Sequence, residues 1–324
     1  MRNARITGQI RPLTLLGGEA DASTHMHATA SASPFRHLPN PRISVEQGVY
    51  PTGTEDCPLP LEPGTCEALD RDLLRWLNDL LVATTAQLTV LLVSQGHAVS
   101  QEGVRRRLNH LRSRRFVRSL AMRCPRPDGS MPAGKGLVAW LLDSNGNGVL
   151  AEAGLSFRAL QYVDWMDTTD FRRQLAASQQ VAAVLSACPG TCLARQTLRL
   201  PDVAGAEVRV RPQAILTLEP VKSQAQRTFW VEAVRRNPGW ERDMADKLVR
   251  YARALPQWRF LIHEAATKPT LILQGEDAAH MEALRGLALA THALAGLPVL
   301  LTHDLWLHAQ PGHAWTSLTG AGLS

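Results

Sequence analysis

Four side chains with forked or amide ends, Gln101, Arg105, Asn109 and Arg112, recur at spacings of four, four and three residues. Such groups can make paired hydrogen bonds to the edges of adenine or guanine. Val104, Leu108 and Leu111 repeat on the opposite side of the same stretch, so one helix would turn apolar groups inward and polar forks outward. Between Ser100 and Arg126 there are nine Arg (105, 106, 107, 112, 114, 115, 118, 123 and 126) against one acid, Glu102. The local charge is +8, while the whole chain carries only +6, so everything outside the window is slightly acidic. A concentration of this kind is the footprint of a polyanion site rather than of a generally basic protein. Arg106 and Arg115 join the same basic surface, and Gly103 would let the helix start come close to a phosphate backbone.

Such a helix needs elements to hold it. Ser100 is a good N-cap for it. Upstream, Leu69, Leu73, Trp76, Leu77 and Leu80 form a wide apolar stripe, which predicts a helix over Glu67 to Leu81. Thr84-Thr85-Ala86-Gln87 has the form of a capping box and opens a second helix, with Leu88, Leu91 and Leu92 facing inward. Ser94-Gln95-Gly96-His97 is a short turn before the basic helix. After it, Val117 to Met122 and Leu137 to Leu142 read as strands around a Pro- and Gly-rich loop. Three helices followed by a hairpin are the order of a winged helix-turn-helix, expected here over residues 63–145. Arg126 and Lys135, in the hairpin loop, stand where a wing would meet phosphates.

Composition narrows the rest. At 324 residues with near-zero mean hydropathy, there is room for two soluble domains. Residues 1–62, with GGEADASTHMHATASASP, cannot bury enough surface to offset their ordering entropy and read as a flexible tail. Only four of the basic residues are Lys, so single Arg residues mean little and only their clustering counts. The five Cys (57, 66, 124, 188, 192) fit no zinc pattern, and His303, His308 and His313 are spaced by five, which matches no ligand motif. These features, with no membrane-length apolar run and no signal peptide, point to a cytoplasmic protein without metal or membrane partner.

Beyond Asp143 the sequence reads as a turn (Ser144-Asn145-Gly146-Asn147-Gly148), a short helix (Val149 to Ala153) and a second domain over 146–324. There Thr169-Asp170 caps a helix to about Ala187, followed by strands over Leu193–Leu200, Glu207–Leu218 and Thr228–Val234. A helix over Glu241–Leu255, strands over Arg259–His263 and Thr270–Leu273, a helix over Asp277–Leu294 and a last strand over Pro298–Leu301 complete it. The fold class expected is α+β to α/β, with a mixed sheet in the second domain.

A succession of motifs runs in order through residues 67 to 316: TTAQLTVLL, VRRRLNHLRSRRFVRSL, GNGVLAEAG, VRPQAILTLE, FWVEAVRR, DKLVRYARAL and VLLTHDLWLHAQPGHAW. Together they resemble the plasmid replication-relaxation family of bacterial proteins. The resemblance implies an N-terminal winged helix joined to a domain like the restriction-endonuclease (PD-(D/E)xK) fold, and hence DNA binding. It also implies where nuclease chemistry would sit. An acid on one strand, then an acid–x–Lys pair on the next, would hold Mg²⁺ and steady the attacking water. In Arg211-Pro212-Gln213, Gln213 occupies the first position; Glu232 fits the second acid, but Val234 replaces the Lys. Lys247 on the next helix, Asp202, Glu207 and Glu219 are conceivable rescuers, and Glu232 is otherwise expected to pair with Arg235 or Lys247.

Three functions follow as expectations. The first is a non-catalytic, homodimeric regulator of replication or transcription, associated with plasmid or nucleoid, that binds double-stranded DNA without a cofactor. The second is a Mg²⁺-dependent endonuclease or nickase using Glu232 and Lys247. The third is an interaction module whose Arg face meets an acidic protein partner.

Overall fold

The computed structural model describes residues 43–44, 68–122, 137–154, 168–186, 188, 190–194, 198–201, 206–219, 226–260, 268–291, 298–309 and 315–318. Apart from 43–44, the expected tail lies outside them, as do Arg126, Lys135, Asp202 and residues 261–263 of one expected strand.

α1 (Ala68–Leu80) turns Leu73, Leu74, Leu77 and Leu80 inward, and all four are fully buried or nearly so. α2 (Thr85–Ser94) opens on the expected capping box. The Thr84 hydroxyl accepts from the Gln87 amide at 3.2 Å, while Gln87 Oε1 accepts from the Thr84 amide at 2.8 Å. Gly96, with φ of +90°, turns the chain toward α3 (Gln101–Ser113). β1 (Ile43–Ser44), β2 (Ala83–Thr84), β3 (Val117–Met122) and β4 (Leu137–Leu142) form an antiparallel sheet in the order β1-β3-β4-β2. Thus two residues from the stretch read as tail add a strand to the outer edge of the hairpin, at Met122 and Ala121.

The Ser144–Gly148 stretch is not a turn. It forms the first residues of α4 (Ser144–Glu152), with Asp143 as N-cap accepting from the Ser144 amide at 2.7 Å. Local glycine content misleads here because Gly146 has a packing role: a Cβ at that position would lie 2.3 Å from the Phe116 carbonyl oxygen. Asn145 Nδ2 donates to the Arg114 carbonyl at 2.9 Å, so the start of α4 also satisfies an open carbonyl beyond the end of α3.

α5 (Thr168–Leu185) leads into a six-stranded mixed sheet, ordered β12-β11-β10-β9-β8-β5. Its strands are β5 (Gly190–Ala194), β8 (Ala214–Leu218), β9 (Arg227–Ala233), β10 (Thr270–Gly275), β11 (Val299–His303) and β12 (Thr316–Ser317). β9, β10 and β11 are parallel; the remaining neighbours are antiparallel. The parallel pairs require crossovers, supplied by α6 (Trp240–Ala254) between β9 and β10 and α7 (Ala278–Ala290) between β10 and β11. α8 (Asp304–Ala309) follows β11. α5 shares one apolar cluster with Leu216, Val231, Ala233 and Ile272; α6 and α7 share another with Trp230, Val234, Leu271 and Leu273.

Three further expectations change. Leu193–Leu200 is not one strand: its ends belong to β5 and to β6 (Leu198–Pro201), which pairs with β7 (Glu207–Val210) in a separate ribbon. Glu207–Leu218 breaks between β7 and β8, where Pro212 has no amide hydrogen to give a ladder. Arg259 and Phe260 end a 3₁₀ helix (Leu255–Phe260) instead of starting a strand, and β11 is followed by β12.

The helical part and the mixed sheet share a core. Leu73, Leu88 and Leu108 belong to the same apolar cluster as Val181, Leu216 and Val231. Polar contacts stitch the seam: Gln174 Nε2 donates to the Leu80 carbonyl at 3.1 Å, Ser178 Oγ to Val82 at 2.7 Å and Gln87 Nε2 to Leu175 at 3.2 Å. Among the described residues, no helix is long and apolar enough to cross a membrane.

Candidate nucleic-acid interface

α3 begins where expected: Ser100 Oγ accepts from the Gly103 amide at 3.1 Å. A Cβ on Gly103 would sit 3.3 Å from that hydroxyl, so the glycine has a local packing reason as well. Val104, Leu108 and Leu111 are buried; Gln101, Arg105, Arg106, Arg112 and Arg115 are exposed, and Asn109 is half-buried. The outward face therefore carries Gln101, Arg105 and Arg112 in full and Asn109 in part.

The arginines divide by their partners. Arg107 turns back into the protein and donates through Nε and Nη2 to both oxygens of the buried Asp70 on α1. His97 Nε2 lies 2.7 Å from Asp72 Oδ2, and Trp76 Nε1 donates to Gln95 Oε1 at 2.9 Å. These contacts fix the α2–α3 turn and α3 against α1. Arg105 is held by Glu102, with Nε to Oε2 at 2.8 Å and Nη2 to Oε1 at 2.6 Å. Arg106, 76% exposed, reaches Glu102 only at 4.0 Å. Arg112 Nη1 donates to Ser119 Oγ at 3.1 Å and so ties the end of α3 to β3. The Arg114 guanidinium lies 5.5 Å from the Phe116 ring centre. Arg115 holds a left-handed φ of 58° where the helix ends. The positions of Arg126 and Lys135 lie outside the described residues.

The second candidate centre surrounds Glu232 on β9. The side chain is 1% exposed; Lys247 Nζ on α6 donates to its Oε2 at 2.7 Å, and the Tyr251 hydroxyl donates to Oε1. Burial first, then the Glu232 charge and hydrogen bond, push the Tyr251 phenol well above its usual range, which keeps it a donor. The backbone of Gln213 donates to the Val231 carbonyl at 3.0 Å, so Gln213 does lie beside the Glu232 strand. It offers an amide where the nuclease pattern needs an acid, and Val234 is buried in the apolar cluster with Trp230 and Tyr251.

These residues do not fit a Mg²⁺ site. Glu232, the one carboxylate at this centre among the described residues, is engaged at both oxygens, and an ammonium stands where a cation would have to bind. Glu207 is on the β6–β7 ribbon and held by Arg209, while Glu219 is exposed beyond β8. Among the described residues, no group of three or more His, Cys, Asp or Glu side chains is arranged to hold a metal ion.

One cluster had no signal in residue spacing. Arg235, 0% exposed, does not pair with Glu232; its Nη2 donates to Asp304 Oδ1 at 3.0 Å, and Gln274 Nε2 donates to the same oxygen at 2.8 Å. The partners are 69 residues apart, and the parallel pairing of β9, β10 and β11 brings them together.

The sequence motifs thereby acquire contacts: FWVEAVRR meets DKLVRYARAL through Glu232 and VLLTHDLW through Arg235. No curated protein and no solved structure matches the chain. Residues 74–211, which run from α1 through α3 and the hairpin to the segment before β8, match the model of the replication-relaxation family.

Proposed function

We propose that this protein binds duplex DNA in a replication-related role, with α3 as the recognition helix of a winged helix-turn-helix and β3–β4 as its wing. The observation that carries the proposal is the sidedness of α3: Val104, Leu108 and Leu111 are buried while Gln101, Arg105, Arg106 and Arg112 face solvent. A rod of this section fits the major groove, where arginine forks and amides distinguish bases. The match of residues 74–211 to the replication-relaxation family supports a role in replication or relaxation of plasmid DNA.

The mixed-sheet part is read as a restriction-endonuclease-like fold that has lost its chemistry and serves as a scaffold for dimerisation or docking. The Lys247–Glu232–Tyr251 arrangement supports this, because it satisfies the carboxylate internally. A homodimer on two half-sites, in the cytoplasm and associated with nucleoid or plasmid, completes the reading. Fluorescence anisotropy with labelled duplexes tests it. Replacing Arg105 and Arg112 with Ala should weaken binding by at least about tenfold and blur sequence preference. Unchanged binding by the double variant would refute it.

A further inference from the structure

Glu102 is the one acid in the Arg-rich window, and it lies in the first turn of α3. Favourable interaction with the helix dipole accounts for an acid there, but not for what this one holds. Its two oxygens accept from Nε and Nη2 of Arg105, three residues on, at 2.8 and 2.6 Å. A guanidinium has five N–H groups arranged along a side edge (Nε and Nη2) and a terminal edge (Nη1 and Nη2). The carboxylate occupies the side edge, so the terminal fork stays open, and both side chains are 55% exposed. Terminal-fork hydrogen bonding to O6 and N7 is how an arginine reads guanine in the major groove.

An unheld arginine on a helix surface samples many rotamers and can settle on any phosphate; a held one presents one geometry and loses less freedom on binding. Arg106 illustrates the contrast, since it is 76% exposed and comes no nearer to Glu102 than 4.0 Å, a loose ion pair with no hydrogen bond to fix its fork. The anionic Glu102 also repels phosphate, so it discourages the helix start from resting on the backbone.

We infer that Glu102 is a specificity-determining residue: it pre-orients Arg105 to read a guanine in duplex DNA and penalises sequence-independent phosphate binding. The inference rests on the DNA-binding reading of α3. Arg106 then serves as a phosphate contact, while Arg105 carries sequence information.

The test is a selection of bound duplexes from a randomised pool, sequenced for wild type, Glu102→Gln and Arg105→Ala, with anisotropy on a random-sequence duplex alongside. Wild type should enrich a motif containing a G·C pair that Arg105→Ala no longer selects. In Glu102→Gln the preference at that pair should fall by about tenfold, in keeping with loss of an aligned bidentate contact. Its affinity for the random duplex should rise. Thermal unfolding of both variants should match wild type, because both side chains are on the surface. A Glu102→Gln pool with the wild-type motif unchanged would overturn the inference, as would survival of that G·C preference in Arg105→Ala. A wild-type pool with no enrichment and no binding to any duplex would instead overturn the DNA-binding reading itself.

Discussion

Replacing Glu232 with Ala separates a structural carboxylate from a catalytic one. The substitution removes the acceptor for Lys247 Nζ and for the Tyr251 hydroxyl in a site where Glu232 is 1% exposed. Deleting one partner of a buried ion pair costs about 3–5 kcal/mol. Lys247 keeps a quarter of its side chain exposed and can turn toward water, which pulls the charge contribution to the low end. Tyr251 is fully buried and has no such exit, so its lost acceptor alone costs about 1–3 kcal/mol. We expect a net loss of about 3 kcal/mol, or roughly 4–6 °C in the unfolding midpoint of a chain this long. Glu232→Gln, which keeps an acceptor for Tyr251, should fall between wild type and Glu232→Ala. Differential scanning calorimetry with and without Mg²⁺ is the assay, and supercoiled plasmid incubated with the wild type should stay uncut. If Glu232→Ala left stability unchanged or raised it, the structural role would be refuted. The same holds if Mg²⁺ raised the midpoint of the wild type but not of the variant.

Gly146→Ala should destabilise the protein by about 1–3 kcal/mol, because its Cβ would press on the rigid Phe116 carbonyl at 2.3 Å; chemical denaturation reads this directly. Burial, followed by the charges of Arg236 and Arg235, lowers the His280 pKa from 6.5 to about 4. The unfolded chain therefore takes up this proton first, and stability should decline as pH falls from about 6.5 to about 4, a window that His280→Asn should flatten. Asp277, held at about 2 chiefly by Arg236, adds a second loss as pH falls from 3.8 toward 2. Denaturant midpoints measured across pH 2–8 would show both steps. Replacing Arg126 or Lys135 should weaken binding equally across DNA sequences, in contrast to Arg105, as anisotropy on several duplexes would reveal.

Local signals carried much of the fold. The apolar stripe of α1, the capping box at Thr84 and the Ser100 cap depend on neighbours within a few residues, and each was legible in the sequence. Where composition and packing conflicted, packing prevailed. Ser144–Gly148 has the residues of a turn, yet the Asp143 cap and the contact of Gly146 with Phe116 make it helical. Pro212 divided a run of β-forming residues that alternation alone would leave whole. The candidate sites divide in the same way. The polar face of α3 follows from helical spacing, but the turning of Arg107 toward Asp70 depends on how α3 packs on α1. Lys247 was within reach of Glu232 in sequence terms, one helix away. Asp304 was not within reach of Arg235, because strand order in a parallel sheet is not written in spacing.

The most direct measurement is the affinity of the wild-type protein for duplex DNA across a salt series. If α3 and the hairpin contact six or more phosphates, affinity should fall on the order of a thousandfold between about 50 and 200 mM salt. A flat response to salt, or no binding at the lowest concentration, would contradict the account.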